Sequence, residues 1–123
     1  MRRGLSQVAG SRIRDVRFIR SRLKPVAVSP SRAAFRRQVM GRRLGPIQRL
    51  GKRIILPLCD GQSVVIEPRM TGLVLLADPP DREHLRLGLL LEGGPAPWLG
   101  FWDRRGLGTL AVLNKQDFAD RFG

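Results

Sequence analysis

Cysteine is nearly missing from this 123-residue chain, with Cys59 standing alone. No disulfide can close within it, and no zinc site can be built from cysteine pairs. Tyrosine is absent, and five Phe and two Trp offer few platforms for stacked single-stranded bases. The single histidine, His84, makes neither a triad nor a metal cluster, and it reads as a structural polar partner. No apolar run reaches bilayer-spanning length and no secretory signal is visible, so a cytoplasmic protein with no membrane partner is expected. Cys59 lies in Leu56-Pro57-Leu58-Cys59-Asp60 and is expected to pack at a strand end.

Acids are scarce in one half only. Residues 1–53 carry sixteen of the 23 Lys and Arg against one acid, Asp15, whereas residues 54–123 carry seven basic and nine acidic residues. The net charge of +13 is therefore the sum of a strongly basic half and a slightly acidic one. Fourteen of those sixteen cations are arginine, whose planar fork matches phosphate oxygens in pairs. Such asymmetry implies a polyanion partner, met on one binding face. An apolar content of 42% fits a globular domain, and the length allows one domain with a real core.

Turn signals divide the chain into many short segments. Residues 1–9 read as a short helix ending at Gly10, and residues 11–19 as a strand with Val16 and Phe18 on one face. Residues 21–28 read as an irregular basic connection. Ser29-Pro30-Ser31 starts a helix, with Ser29 as cap and Pro30 in the first turn; Phe35 and Val39 lie one turn apart, and Gly41 stops it. Residues 44–50 and 53–58 read as strands flanking Gly51-Lys52, and Asp60-Gly61 as a hairpin turn before Val64-Val65-Ile66. Residues 73–76, 84–91, 99–102 and 108–113 complete the strands, and residues 117–122 make a last helical turn. The fold class expected is mainly β: a two-sheet antiparallel β-sandwich flanked by short helices.

Two stretches carry more than architecture. Arg69-Met70-Thr71-Gly72 and Asp103-Arg104-Arg105-Gly106-Leu107-Gly108 both follow apolar runs and both end in glycine. Methionine is unbranched and fills irregular gaps, arginine can stack by its plane and hydrogen-bond a base, and leucine can wedge a base step. With Gly41-Arg42-Arg43-Leu44, Arg49-Leu50-Gly51-Lys52 and Glu83-His84-Leu85-Arg86-Leu87, they stand in the order and spacing of a known family. The chain resembles, over essentially its whole length, the N-terminal domain of the formamidopyrimidine-DNA glycosylase and endonuclease VIII enzymes of base-excision repair. The resemblance implies a double-stranded, damaged DNA partner and a monomeric enzyme. In the family an N-terminal proline amine attacks C1′ of a flipped, oxidised nucleotide, an adjacent Glu moves protons, a Schiff base forms, and elimination nicks the strand. Three side chains fill the hole left by flipping. By motif position these are Met70, Arg105 and Leu107, and Lys52 is the phosphate-binding lysine, its neighbour Gly51 allowing close backbone approach.

The chain departs from that pattern in three places. Glu67-Pro68-Arg69-Met70 stands where the family usually has His-Leu-Gly-Met, so an acid replaces a phosphate-facing histidine and Arg69 is the cation left to contact DNA. Leu107 replaces a larger Phe. The family's opening Met-Pro-Glu-Leu-Pro-Glu-Val-Glu-Thr has no match, nor does its C-terminal helix–two-turn–helix and zinc-finger segment. The expectation is therefore a glycosylase/AP lyase domain spanning residues 1–123 as a fragment, with no catalytic residue, metal ligand or cofactor of its own; zinc belongs to the unmatched C-terminal segment. Such a chain is expected to be inactive alone. A non-catalytic basic DNA-binding module and an unrelated RNA-binding β-domain are the alternatives.

Overall fold

The computed structural model describes residues 3–123. Among these residues nine strands and three helices follow one another: α1 (Arg3–Ser6), β1 (Arg12–Phe18), β2 (Ala27–Ser29), α2 (Arg32–Val39), β3 (Gln48–Leu50), β4 (Arg53–Pro57), β5 (Ser63–Glu67), β6 (Gly72–Leu75), β7 (Leu85–Glu92), β8 (Trp98–Asp103), β9 (Thr109–Leu113) and α3 (Lys115–Phe122). The strands form a four-stranded sheet in the order β1-β7-β8-β6 and a five-stranded sheet in the order β2-β9-β5-β4-β3. This is the expected sandwich, with one exception: β2 pairs parallel to β9, Val28 opposite Leu110. The irregular connection expected over residues 21–28 thus ends in a short edge strand. Three residues give too little alternation to signal one.

The main core lies between the sheets. Ile13, Val16, Leu87, Leu89, Leu99 and Phe101 meet Ile54, Leu56, Val64, Ile66, Leu110 and Val112. Phe35 and Val39 of α2 close one side, both fully buried, each such side chain contributing about 1.5–3 kcal/mol. The runs Ile54-Ile55-Leu56 and Val64-Val65-Ile66 do not alternate because both faces of β4 and β5 are covered. Their outward residues Ile55 and Val65, with Ala111 and Leu113, pack under Phe118 and Phe122 of α3.

Several local expectations are corrected. Ser31, not Ser29, caps α2: its backbone is extended and its hydroxyl accepts the Ala34 N–H at 3.1 Å, while Ser29 is held in β2 opposite Ala111. Gly45-Pro46 limits the strand expected over 44–50 to Gln48–Leu50, leaving Leu44 in a single bridge to Leu58. Cys59 is exposed rather than packed, since β4 ends at Pro57 and Cys59 already lies in the turn. Of the first helix, Met1 and Arg2 lie outside the described residues, and the described part is the single turn Arg3–Ser6.

Candidate nucleic-acid interface

Strand register brings three loops to one end of the sandwich. Ile54 pairs with Ile66, so the Gly51-Lys52 turn sits level with the end of β5. Glu67 pairs with Thr109, and Gly72 with Asp103, so the β5–β6 and β8–β9 loops lie beside each other. Lys52, Arg69 and Met70 line one groove of about 440 Å³ with Glu67, Pro68 and Gly72. Met70 is 86% exposed, which removes it from the core. Arg69, Arg104 and Arg105 are exposed, and Leu107 is 38% exposed.

A buried acid fastens the Met70 and Arg105 loops together. Asp103 is 1% exposed; Oδ1 accepts the Thr71 hydroxyl at 3.0 Å, and Oδ2 accepts the Gly108 N–H at 2.8 Å. The Thr71 oxygen in turn accepts the Arg105 N–H at 3.3 Å. Thus Met70 and Arg105 stand on loops tied through one residue, although 35 positions separate them in sequence. Leu107 follows on the same loop.

Arg86 holds the second loop from below. It is 5% exposed; Nε donates to the Asp103 carbonyl at 2.9 Å and Nη1 to the Lys24 carbonyl at 2.6 Å. Lys24 donates from Nζ to the Gly106 carbonyl at 3.3 Å. Gly106 has φ +70°, and a Cβ there would sit 2.5 Å from the Lys24 carbonyl oxygen. A Cβ on Gly108 would lie 2.7 Å from Phe101 and 2.9 Å from the Glu67 carbonyl. The two glycines therefore let the Arg105 loop lie against the residue 24 segment and the end of β5.

The departure at Glu67 has a local answer. Its carboxylate lies 3.8 Å from Arg53 and 3.9 Å from Arg69, so it is offset by two cations at the groove. His84 holds a structural position: Nδ1 lies 2.9 Å from Asp81, and its ring packs edge-on against Trp102. The Trp102 Nε1–H donates to the same carboxylate at 3.2 Å. Hydrogen bonds, led by that of the His84 backbone N–H, hold the Asp81 carboxyl below its ordinary value of 3.8. No cluster of three or more His, Cys, Asp or Glu is placed to hold a metal among the described residues. Nor do the lone exposed Cys59 and the Asp81-paired His84 fit the zinc that the resemblance implies.

The basic half does not form the single face that its charge suggested. Lys52 and Lys24 reach the loop end, but Arg12, Arg14, Arg36 and Arg37 line a groove between β1 and α2. Sequence reasoning also missed Thr71 and Asp103. Their only signal was a small hydroxyl residue and an acid, each flanking a wedge candidate.

Known proteins resemble this chain in sequence and in fold. The formamidopyrimidine-DNA glycosylase of Nocardioides sp. is 39% identical over 83 residues, 65% of this chain and 28% of its own length. That of Salinispora arenicola is 35% identical over 117 residues, 91% of this chain and 39% of its own length. The chain thus spans well under half the length of the relatives it matches. Its fold is that of the Lactococcus lactis enzyme solved in complex with a Fapy-dG-containing DNA, with a TM-score of 0.76 at 21% identity, covering 94% of this chain and 42% of that one. The family model for the formamidopyrimidine-DNA glycosylase N-terminal domain matches residues 1–110, and the chain belongs to that family.

Proposed function

We propose that this chain is the DNA-holding platform of a base-excision-repair glycosylase/AP lyase that acts on oxidised bases in duplex DNA. The observation that carries the reading is the exposed Met70 tied through Thr71 to the loop of Arg105. An unbranched thioether and a planar cation, carried on two loops tied through Thr71, suit the gap left when a nucleotide leaves the stack. Met70 fills the space, Arg105 meets the unpaired partner base, and Leu107 wedges the neighbouring step. Lys52 and Arg69 contact phosphates at the groove beside Met70. Each copy carries all of these residues, so the reading takes a monomer on duplex DNA. The family's Pro-Glu chemistry and its zinc-bearing clamp have no counterpart residues among positions 1–123, and the base-releasing step is assigned to those segments.

The test is binding to a duplex with a tetrahydrofuran abasic analogue and to the same duplex undamaged. Lys52→Ala should weaken both and flatten the log–log salt slope by about 0.9, one phosphate contact. Met70→Ala should reduce the preference for the damaged duplex and leave the salt slope alone. Salt-independent affinity, or equal preference before and after Met70→Ala, would sink the reading. The non-catalytic DNA-binding alternative differs in predicting no preference for the damaged duplex at all.

A further inference from the structure

The groove between β1 and α2 is left over by that function. It encloses about 740 Å³, and its rim carries Arg12 and Arg14 from the strand and Arg36 and Arg37 from the helix. Ala33 and Met40 supply apolar surface between them. It lies at the far end of the sandwich: Arg12 pairs with Glu92, whereas Phe18 at the other end of β1 is level with Leu87. Six residue steps put the groove about 20 Å along the strand from the wedge end. It is also on the opposite sheet edge, since β1 and β6 are the two outer strands of their sheet.

The groove already binds carboxylates from its own chain. Arg36 Nη2 lies 2.9 Å from Asp15, and Arg12 Nη1 lies 3.6 Å from Glu92. Arg14 and Arg37, both exposed, have no ion pair or side-chain hydrogen bond among the described residues. Asp15 and Glu92 at its borders disfavour a continuous phosphate backbone, which carries a charge about every 1.7 Å of duplex. They leave room for separate carboxylates. The volume suits a few side chains rather than the side of a duplex. Strand addition at the β1 edge is blocked: Ile13 exchanges its backbone bonds with Gly41 and Arg42, Arg36 Nε caps the Val16 carbonyl, and the register shifts between Ile13 and Asp15. Recognition there must run through side chains.

We infer that the β1–α2 groove docks an acidic protein segment, two carboxylates pairing with Arg14 and Arg37 and an apolar residue between them resting on Ala33 and Met40. This is the arginine-cluster mode of acidic-motif recognition. The inference does not depend on the wedge reading, because the two surfaces are separate.

The experiment titrates the whole chain with a synthetic peptide of repeating Asp-Leu-Glu, and separately with duplex DNA. On the unaltered chain, peptide should shift the backbone amide resonances of Arg14, Ala33, Arg37 and Gly41. The double variant Arg14→Glu, Arg37→Glu should weaken the peptide by about tenfold or more. Duplex affinity should change by less than about twofold at physiological salt, where the screening length is about 8 Å. A charge-matched control, Lys115→Glu with Arg121→Glu on α3, should leave the peptide within about twofold, because those positions lie outside the groove and its field is screened. Equal loss in the control would mean net charge alone. A duplex affinity that falls with the peptide's would mean a phosphate site. Shifts confined to the wedge loops would place the peptide elsewhere. Each of these three results overturns the proposal.

Discussion

The Thr71 hydroxyl donates to Asp103 Oδ1 across 3.0 Å while its oxygen accepts the Arg105 N–H at 3.3 Å. One side chain thus registers the Met70 loop against the Arg105 loop, and the buried carboxylate anchors both. Thr71→Val keeps the shape and removes both bonds, leaving Oδ1 of a buried carboxylate without its donor. The expected cost is about 1.5–3 kcal/mol, since the lost bond is to a charged group. Thr71→Ser should recover most of it. Urea midpoints measure the cost, and preference for abasic over intact duplex should fall with it. A midpoint unchanged in the valine variant would show that the bond does not hold the loops.

Arg86 makes a second prediction beneath the same loop. Arg86→Met keeps an apolar stem but strips donors from the Lys24 and Asp103 carbonyls. Destabilisation of about 1–3 kcal/mol should follow. Gly106→Ala should cost a comparable amount, about 1–3 kcal/mol for a side chain forced into a left-handed conformation. Here the added methyl also meets the Lys24 carbonyl. Thermal melts of the two variants test this; a Gly106→Ala chain as stable as the parent would mean that the loop can move away from residue 24.

Much of this was legible in the residues. Apolar runs and Asp60-Gly61 marked the central strands because two-sided burial and tight turns leave local signals. The exposed loop positions of Met70, Arg105 and Leu107 were legible because each stands near glycine behind an apolar strand. Ser31 was displaced by Ser29 as the cap, since either hydroxyl satisfies the local rule and only the pairing of Ser29 with Ala111 decides. The parallel β2, the Thr71–Asp103 link and the support from Arg86 were not legible. Each joins residues distant in sequence, and a buried arginine looks from the chain like any solvated one. Even the charge asymmetry misled, because Arg12, Arg14, Arg36 and Arg37 of β1 and α2 line a groove apart from the Met70 loop.

Acidification offers a third check. The Asp81 carboxyl is held below its ordinary value of 3.8, first by the His84 backbone N–H and then by the His84 ring and Trp102. A folded-state pKa below the unfolded one adds stability that is complete above the unfolded value and is lost as pH falls through the folded one. Asp81→Asn should therefore lower stability at neutral pH and flatten the fall below pH 3.8. Asp15 and Asp60 are depressed too, so the parent profile retains their share and the difference between the two profiles is the readout. Parallel profiles in the parent and the asparagine variant would mean that Asp81 titrates alike in both states.

The last prediction concerns chemistry. In the family the nucleophile is a proline secondary amine followed by glutamate, and no residue of this chain matches either. An ordinary α-amine, with a pKa of roughly 8, has the right reactivity in principle. By the resemblance, however, the family's proline precedes the position of Arg2-Arg3-Gly4-Leu5 by six or more helical residues. At 1.5 Å per residue that is about 9 Å or more from where the reacting carbon sits. Advantage from proximity collapses over such a displacement, because attack needs the atoms within about 3–3.5 Å. Borohydride should therefore trap no adduct between this chain and duplex DNA carrying 8-oxoguanine or an abasic site. Adding Pro-Glu-Leu-Pro-Glu-Val-Glu-Thr ahead of it, together with a C-terminal clamp from a relative, should restore a lesion-dependent adduct. A lesion-dependent adduct with the chain as it stands would overturn the prediction. No adduct with the extended protein, together with no preference for damaged duplex, would favour a binding module over an enzyme domain.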